Sequence, residues 1–325
     1  MMRKANCVLI CSVLFYSCLS VPLFADDSAV SAEAIPSAQA ILDSMLSHCE
    51  ALPACSWHGE VTRTWESEAD SGGVVVECEF RWDRTRSDCI RERYDLIDGQ
   101  KVPTRHERDI WDGQRFFTTV TSIEGSERTF RRAILISGDE YKIHSLGDPL
   151  TGWYLEGYVW PEEGLLGLLR ETPDLKVRPE AEDVDGHRCY VLERSVSSGY
   201  MHLWIDPEAG YNIRRIVHEQ KLDFEIHETT VDDIEIRLVE GAWVPMSASY
   251  RLVDRNPDGT VTSESTATYR RTQLEFDPDF ESVDAFEMDG IPNGAHVGNA
   301  DSPDSDYTWQ DGELVPKPRS GSWEG

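Results

Sequence analysis

Basic residues are scarce in this sequence, and their scarcity limits the partners that the chain can have. Its 325 residues include 31 lysines and arginines against 60 aspartates and glutamates, which gives a formal net charge of −29. A surface this negative repels phosphate backbones and anionic lipid headgroups. We therefore expect no nucleic-acid partner, and we interpret the acidic composition first as a source of solubility.

Sequence signatures of catalysis are also missing. There is no Gly-x-Ser-x-Gly elbow, no phosphate-binding loop and no dinucleotide-binding fingerprint. Three His-Glu pairs lack the second histidine of a zinc protease, and we expect strand alternation to turn them outward: His106-Glu107, His218-Glu219 and His227-Glu228. Cys189 lies near His187 in a strand-like stretch, where we interpret it as a packing residue rather than a nucleophile. The sequence thus predicts no enzyme, no cofactor and no metal site.

Long apolar runs are absent after residue 25, but one opens the chain. Two basic residues precede an uncharged stretch, Ala5 to Ala25, which is the pattern of a secretory signal. We expect residues 1–25 to be a signal peptide cleaved after Ala25, and the mature protein to be periplasmic or secreted. Two alternatives remain open, because residues 5–25 are long enough to act as an uncleaved membrane anchor and Phe15-Tyr16-Ser17-Cys18 resembles a lipoprotein cleavage box. Cleavage removes two basic residues and no acidic one, which changes the net charge from −29 to −31.

Five cysteines follow the signal segment, and this odd number leaves at least one of them outside any intramolecular disulfide. Cys49 and Cys55 flank the turn between a predicted helix and a predicted strand, so a disulfide between them is one expectation. Cys78 and Cys89 lie on neighbouring predicted strands. The expected pairing of those strands turns Cys78 toward the core and Cys89 toward solvent, which disfavours a bridge.

The body of the chain, residues 36–290, predicts one helix followed by many strands. A polar lead-in, residues 26–35, precedes a helix that begins at Pro36-Ser37 and ends at Pro53, with one apolar stripe at helical spacing. From Ser56 to about Thr272, two-residue alternation and repeated turn signals indicate roughly nine to twelve antiparallel strands. We expect a mainly β fold, a curled antiparallel half-barrel whose apolar face is covered by the helix.

The clearest strand runs from Gly73 to Trp82, with apolar residues on one face and charged residues on the other. Its expected partner is Asp88 to Leu96, reached through a loop of Asp83 to Ser87. Register follows the hydrophobic face, and it would pair Phe80 with Ile90, Val76 with Tyr94 and Val74 with Leu96.

Two further segments depart from the alternating pattern. Pro161-Glu162-Glu163 opens a very apolar stretch that ends at Arg170, and a proline with acids behind it predicts a short inserted helix packed on the sheet. Near the C-terminus the composition shifts to Pro, Gly, Ser and Asp, so we expect a flexible acidic tail over residues 291–325. Tyr307-Thr308-Trp309 is a candidate edge element within it.

Three segments carry a resemblance to a known family. The stretch from His202 to Arg215 contains Trp-Ile-Asp-Pro, a glycine and Arg-Arg, and it is similar to a strand–turn–strand signature of the LolA-like periplasmic lipoprotein carriers. The helix Ala38–Leu52 followed by Gly59-Glu60-Val61 resembles their opening helix and first strand, and Gly241 to Pro245 resembles a later strand. The resemblance covers roughly residues 37–285. It implies an unclosed antiparallel barrel covered by helices, with an apolar cavity that receives acyl chains.

On this resemblance we expect non-enzymatic binding or transport of lipid or of an acylated protein, with transient membrane contact or an N-terminal anchor. From alternation, the residues expected to line the cavity are Ile41, Met45, Phe80, Trp82, Leu168, Leu203 and Ile205. Many tryptophans in the β region fit such a cavity, and the alternative is that they simply fill the core. Two alternatives are a sensor or scaffold that binds a protein partner, and a hydrolase with an unrecognised pair of carboxylates.

Overall fold

The computed structural model of the chain describes residues 35–67, 70–137, 169, 174–196, 198–283, 285–299 and 307–317. The predicted signal segment and most of the inserted helix, including Leu168, lie outside the described residues. No helix among the described residues is long and apolar enough to span a membrane.

Helix α1 (Ala38–Ala51) has the expected start, stripe and end. Ser37 is its N-cap, and the Ser37 hydroxyl accepts a hydrogen bond of 3.2 Å from the backbone N–H of Ala40. The apolar stripe is buried at Ile41, Leu42 and Met45. The helix ends just before Leu52 and Pro53, because proline lacks the N–H that would continue it. The predicted helix is confirmed.

Strands follow α1 in two antiparallel meanders. The first comprises β1 (Cys55–Ser67), β2 (Ser71–Trp82), β3 (Ser87–Ile97), β4 (Gln100–Trp111), β5 (Arg115–Glu124) and β6 (Glu127–Ser137). After two short strands, β7 (Lys176–Val177) and β8 (Glu182–Val184), the second comprises β9 (His187–Val196), β10 (Gly199–Asp206), β11 (Asn212–Lys221), β12 (Ile226–Val239), β13 (Ala242–Arg255) and β14 (Val261–Phe276).

The two meanders join along β1, which pairs antiparallel with both β2 and β14. The result is one large sheet that runs from β6 through β1 and β14 to β9. The predicted mainly β, antiparallel class with an N-terminal helix is confirmed. The sheet is open and uncurled rather than rolled into a half-barrel, and no ladder among the described residues joins β9 to the opposite edge.

The pairing of β2 with β3 is as expected, but its register differs by one residue. Phe80 lies opposite Cys89, Val76 opposite Arg93 and Val74 opposite Asp95. The cause is a shorter loop, in which Asp83 accepts backbone hydrogen bonds from Thr85 and Arg86 at 3.0 and 2.6 Å. A shift of one residue moves every side chain to the other face, so the prediction that Cys89 points to solvent was wrong.

One face of the sheet carries α1, and we call it the helix face; the other is the outer face. The main hydrophobic cluster fills the helix face with residues from α1, from β1 to β5 and from β9 to β14. Two smaller clusters cover parts of the outer face. One of them packs Val184, Cys189, Val191 and Trp204 beneath β8, so Cys189 lies in a packed position.

The second outer cluster is formed by the C-terminal segment that we expected to be a flexible tail. After a 3-10 turn (Phe280–Val283), β15 (His296–Asn299) pairs parallel with β6, and β16 (Tyr307–Gln310) and β17 (Glu313–Pro316) follow it. Val297 and Trp309 are buried against Phe117 and Leu135. A few well-placed apolar residues therefore order much of a segment whose average composition is polar.

Candidate functional site

The residues expected to line a ligand site come together on the helix face. Six of the seven belong to one buried cluster: Ile41 and Met45 of α1, Phe80 and Trp82 of β2, and Leu203 and Ile205 of β10. Leu168 lies outside the described residues, but its neighbour Leu169 is buried in the same cluster. Alternation thus placed these six side chains on one face of the sheet, and their role in ligand binding stays a prediction.

The centre of this cluster is aromatic. Trp57 of β1 stacks on Phe80 of β2, with ring centroids 5.4 Å apart. The guanidinium of Arg271 lies 4.8 Å from the Trp57 ring centroid and donates a hydrogen bond of 3.0 Å to the Pro245 carbonyl. A buried arginine is thus held by a cation–π contact and a backbone oxygen, and it fixes the Trp57 ring against the sheet.

Helix α1 is attached to the sheet at its C-terminal end by a polar contact. His48 Nε2 lies 2.8 Å from the carbonyl oxygen of Trp243, which also accepts a hydrogen bond of 3.2 Å from the Asn212 amide. Gly210 packs against the His48 ring, and a Cβ atom there would lie 2.7 Å from it. Its φ of +69° also favours glycine. We call the contact of His48 with Trp243 and Asn212 the helix latch.

The turn that supports this latch is built around a buried ion pair. Asp206 accepts backbone hydrogen bonds from Glu208 and Ala209 at 2.9 and 3.2 Å. Its second oxygen accepts a hydrogen bond of 2.9 Å from Arg214, and both side chains are at most 9% exposed. Asp206 and Asn212 belong to the segment from His202 to Arg215, and Trp243 to the segment from Gly241 to Pro245. These two sequence motifs therefore shape the end of the sheet where α1 is attached.

Along the strands the helix face changes from apolar to polar. On β1 the inward side chains change from Trp57 through Val61 to Arg63. On β13 they change in the same way, from Met246 through Tyr250 to Asp254. We call the part beneath α1 the apolar half. The part nearer the hairpins that follow β1, β3, β11 and β13 is the polar half, and it contains Arg63, Arg91, Arg93, Glu107, Arg194, His218, His227, Asp254, Ser263 and Ser265.

Arginines of the polar half are held by neighbours on adjacent strands. Arg63 Nε donates a hydrogen bond of 2.8 Å to the Ser265 hydroxyl. Arg91 pairs with Asp109 and lies 3.5 Å from Glu107. Burial raises the pKa of Asp109 above its usual range, against the opposing charge of Arg91. The boundary between the two halves therefore contains a carboxyl and a guanidinium that depend on each other for charge compensation.

The three predicted His-Glu pairs separate between the two faces. His106 is bonded to Glu92 of β3 at 2.8 Å and faces outward, as expected. His218 and His227 lie on the helix face, so the prediction that they point outward was wrong for both. Burial, with the charge of Arg194, lowers the pKa of His218.

Cysteines occupy both faces. Cys78 and Cys89 are buried on the helix face with their Sγ atoms 3.5 Å apart. No disulfide joins Cys49 and Cys55 in the structure, so that bridge stays a prediction. Burial raises the pKa of Cys55 to about 11 and that of Cys189 to about 12, which keeps both as thiols at neutral pH.

A hydrolase that acts through a pair of carboxyls, as a glycosidase does, would need the two groups to face each other across a cleft. Among the described residues, burial raises the carboxyl pKa at Asp109 and at Asp232. These two side chains lie on opposite faces of the sheet, and five strands separate β4 from β12. They cannot act on one bond.

Comparisons with known proteins give fold-level likeness alone. No protein-family model and no curated protein matches the chain. A DUF1329 family protein from Desulfovibrio piger is similar in structure at 12% identity and a TM-score of 0.41, over 77% of this chain and 97% of that one. A domain described as an outer membrane lipoprotein-sorting protein, from Vibrio parahaemolyticus, is similar at 9% identity and a TM-score of 0.40, over 75% and 94%. Both identities are low and both TM-scores lie below 0.5, so function has to be inferred from this chain's own residues.

Proposed function

We propose that this protein binds the acyl chain of a lipid, or of a lipidated protein, on the helix face of its sheet in an extracytoplasmic compartment. The observation that supports this is the change from an apolar half to a polar half along the same strands. A ligand with an apolar chain and a polar head has the same two-part character.

The apolar half supplies the driving force for such binding. Removal of a methylene group from water contributes about 0.8 kcal/mol, so an acyl chain laid along Trp57, Phe80 and Leu203 gains from each carbon that it buries. Trp57 and Arg63 are six residues apart on β1, which is roughly 20 Å at about 3.3 Å per residue. The face is long enough for an extended chain with its head near Arg63.

Because Phe80 and Leu203 are buried beneath α1, the ligand has to displace the helix before it reaches them. Binding therefore exchanges the contacts of Ile41 and Met45 for contacts of the ligand. The helix latch at His48 is a polar contact that opposes this displacement at one end of α1.

The polar half contributes selectivity. It supplies arginine side chains in a protein of net charge −29, and a hydrogen bond to a charged group contributes about 1.5 to 3 kcal/mol. Arg63 and Ser265 are already in contact across β1 and β14. They would receive the head of the ligand where the acyl chain leaves the apolar half.

The proposal is tested with protein purified from the periplasm, by lipid extraction followed by titration with a fluorescent fatty acid. Arg63→Gln should weaken binding about tenfold, equal to about 1.4 kcal/mol. The matched control is Arg251→Gln, because Arg251 lies on the outer face and bonds Glu264 at 2.8 Å. Absence of both co-purifying lipid and fatty-acid uptake would overturn the proposal.

A second candidate function is that of a scaffold or sensor that binds a protein partner. It is favoured by apolar side chains exposed on the β11–β12 and β13–β14 hairpins, namely Leu222, Val261 and Phe224, the last of which is 71% exposed. Phe224→Ser should leave fatty-acid uptake unchanged if the helix face is the site. If the fatty acid does not bind at all and Phe224→Ser abolishes capture of a protein partner, the scaffold hypothesis replaces the lipid-binding hypothesis.

A further inference from the structure

We propose that Glu225, His227 and Asp254 form a binding site for a divalent metal ion, with Zn²⁺ as the ion that their chemistry suits best. One ligand atom from each residue lies within 4.8 Å of the other two. The site belongs to the polar half, at its margin near the hairpins, and it is independent of the proposed acyl-chain function.

The sheet brings the three residues together. His227 lies opposite Asp254 on the neighbouring strands β12 and β13. Glu225 is the residue just before β12. It is two positions before His227, so both side chains lie on the same side. All three side chains are partly buried, with 16 to 29% of each exposed. The cluster is thus open enough for an ion to enter and enclosed enough to retain it.

Two hydroxyl groups of β14 lie against the carboxylates of the cluster. Ser263 donates a hydrogen bond to Asp254 Oδ2, which leaves Oδ1 directed at His227 Nδ1 at 2.6 Å. Thr262 Oγ1 lies 3.5 Å from Glu225 Oε1, a long and weak contact, and Glu225 Oε2 is directed at His227 Nε2. Outer hydrogen bonds that fix the ligand oxygens are the usual support of a protein metal site.

The charges of the cluster are not balanced by the protein. Among the described residues, no lysine or arginine lies within 4.0 Å of the carboxylate of Glu225 or of Asp254, and His227 is the one ion-pair partner of each. The neighbours that face the cluster from β11 and β14 are the uncharged Gln220 and Ser263. Two carboxylates that share one imidazole, partly removed from water, favour the uptake of a cation.

The spacing fits a metal better than a hydrogen bond at one position. His227 Nε2 and Glu225 Oε2 are 3.6 Å apart, which is too long for a hydrogen bond. Two ligands each about 2.0 to 2.2 Å from one zinc ion lie at about that separation. An imidazole beside carboxylates selects a first-row ion such as Zn²⁺ over Ca²⁺ or Mg²⁺, which prefer oxygen ligands alone. Water completes the coordination.

The test is calorimetric titration of the untagged full chain with Zn²⁺, joined to thermal unfolding with and without the ion. We expect one Zn²⁺ per chain, and a rise of the unfolding midpoint of about 5 °C at a zinc concentration about 100 times the Kd. His227→Gln should lower the affinity at least about 100-fold, and Ser263→Ala about 10- to 100-fold.

The matched control is His106→Gln. His106 also bonds a carboxylate, Glu92, but Arg128 lies 3.4 Å from the same oxygen and supplies the missing charge. Zinc affinity should be unchanged in this variant. Ca²⁺ should bind weakly to the unaltered chain and to every variant. Glu225→Gln serves if His227→Gln does not fold, because Glu225 lies outside the strand. Two results would falsify the proposal. One is that Zn²⁺ does not bind at one ion per chain, and the other is that His227→Gln and Glu225→Gln both bind it as tightly as the unaltered chain.

Discussion

The apolar and polar halves of the helix face share the same strands, yet different forces hold them. Beneath α1, Trp57, Phe80 and Leu203 are held by burial, and the one polar attachment of the helix described above is the latch at His48. Toward the hairpins, Arg63 and Asp254 are held by hydrogen bonds to the serines of β14. The difference teaches that the stability of the fold depends mainly on the apolar half, so side chains of the polar half can be changed at a smaller cost in unfolding free energy.

The sharpest way to break the comparison is to remove one side chain from each half. Phe80→Ala should cost about 3 to 5 kcal/mol of unfolding free energy, because the cavity that it leaves cannot fill. Arg93→Ala, in the polar half and largely exposed, should cost less than about 0.5 kcal/mol. Urea unfolding of both variants measures this, and equal losses would show that the two halves are not distinct.

The boundary between the halves gives a second prediction. Cys78 and Cys89 have Sγ atoms 3.5 Å apart, so in an oxidising compartment we expect a disulfide, formed as the two thiols pass two electrons and two protons to a protein disulfide oxidant. Its reduction should cost about 3 kcal/mol. Peptide mass mapping of non-reduced protein checks it, with Cys189 as the thiol expected to stay reduced. Recovery of both Cys78 and Cys89 as thiols after export would contradict it.

The helix latch gives a third. His48→Ala removes the bond to the Trp243 carbonyl and should cost about 1 to 2 kcal/mol. If α1 must move for a ligand to enter, fatty-acid uptake should become faster in this variant. Gln39→Ala is the control, since Gln39 bonds Asp43 on the exposed side of the helix at 2.8 Å. Stopped-flow uptake rates that are equal in the two variants would separate α1 from the entry step.

The smallest effect concerns pH and should arise in the polar half. Burial, with the charge of Arg194, lowers the folded-state pKa of His218, so the unfolded chain takes up the proton first as pH falls below about 6.5. His218 therefore contributes stability at pH 7 that is lost toward pH 5. His218→Gln should flatten that part of the stability–pH curve, measured by urea midpoints. A curve unchanged by the substitution would place the acid sensitivity elsewhere.

The helix, the antiparallel class and the apolar half follow from periodicity alone. Ile41, Met45, Phe80 and Leu203 were predicted to face inward because each sits in a regular stretch whose pattern is unbroken. The C-terminal strands were missed because the packing of Val297 and Trp309 depends on a distant strand, β6, which the local composition does not reveal.

The polar half could not be predicted because irregular strands change the face that alternation indicates. On β12 the pairing shifts between Asp232 and Glu235, so Val231 and Ile236 both face inward although they differ in parity. Alternation counted back from Ile236 predicts that His227 faces outward. The bulge between Asp232 and Glu235 shifts the alternation by one residue, so His227 faces inward. The register of β2 and β3 failed for a related reason, since the side chain of Asp83 selects a shorter loop.

The short pairing of β15 with β6 has a consequence for the tendency of the protein to aggregate. A long sheet ends in rows of unpaired backbone groups that recruit other chains. Here β15 lies along β6 at one edge, while β7 and β8 lie along β9 at the other, and each of these covering strands has two to four residues. A chain cut at residue 290 would uncover β6 and invite aggregation through it, even though its helix face would be untouched.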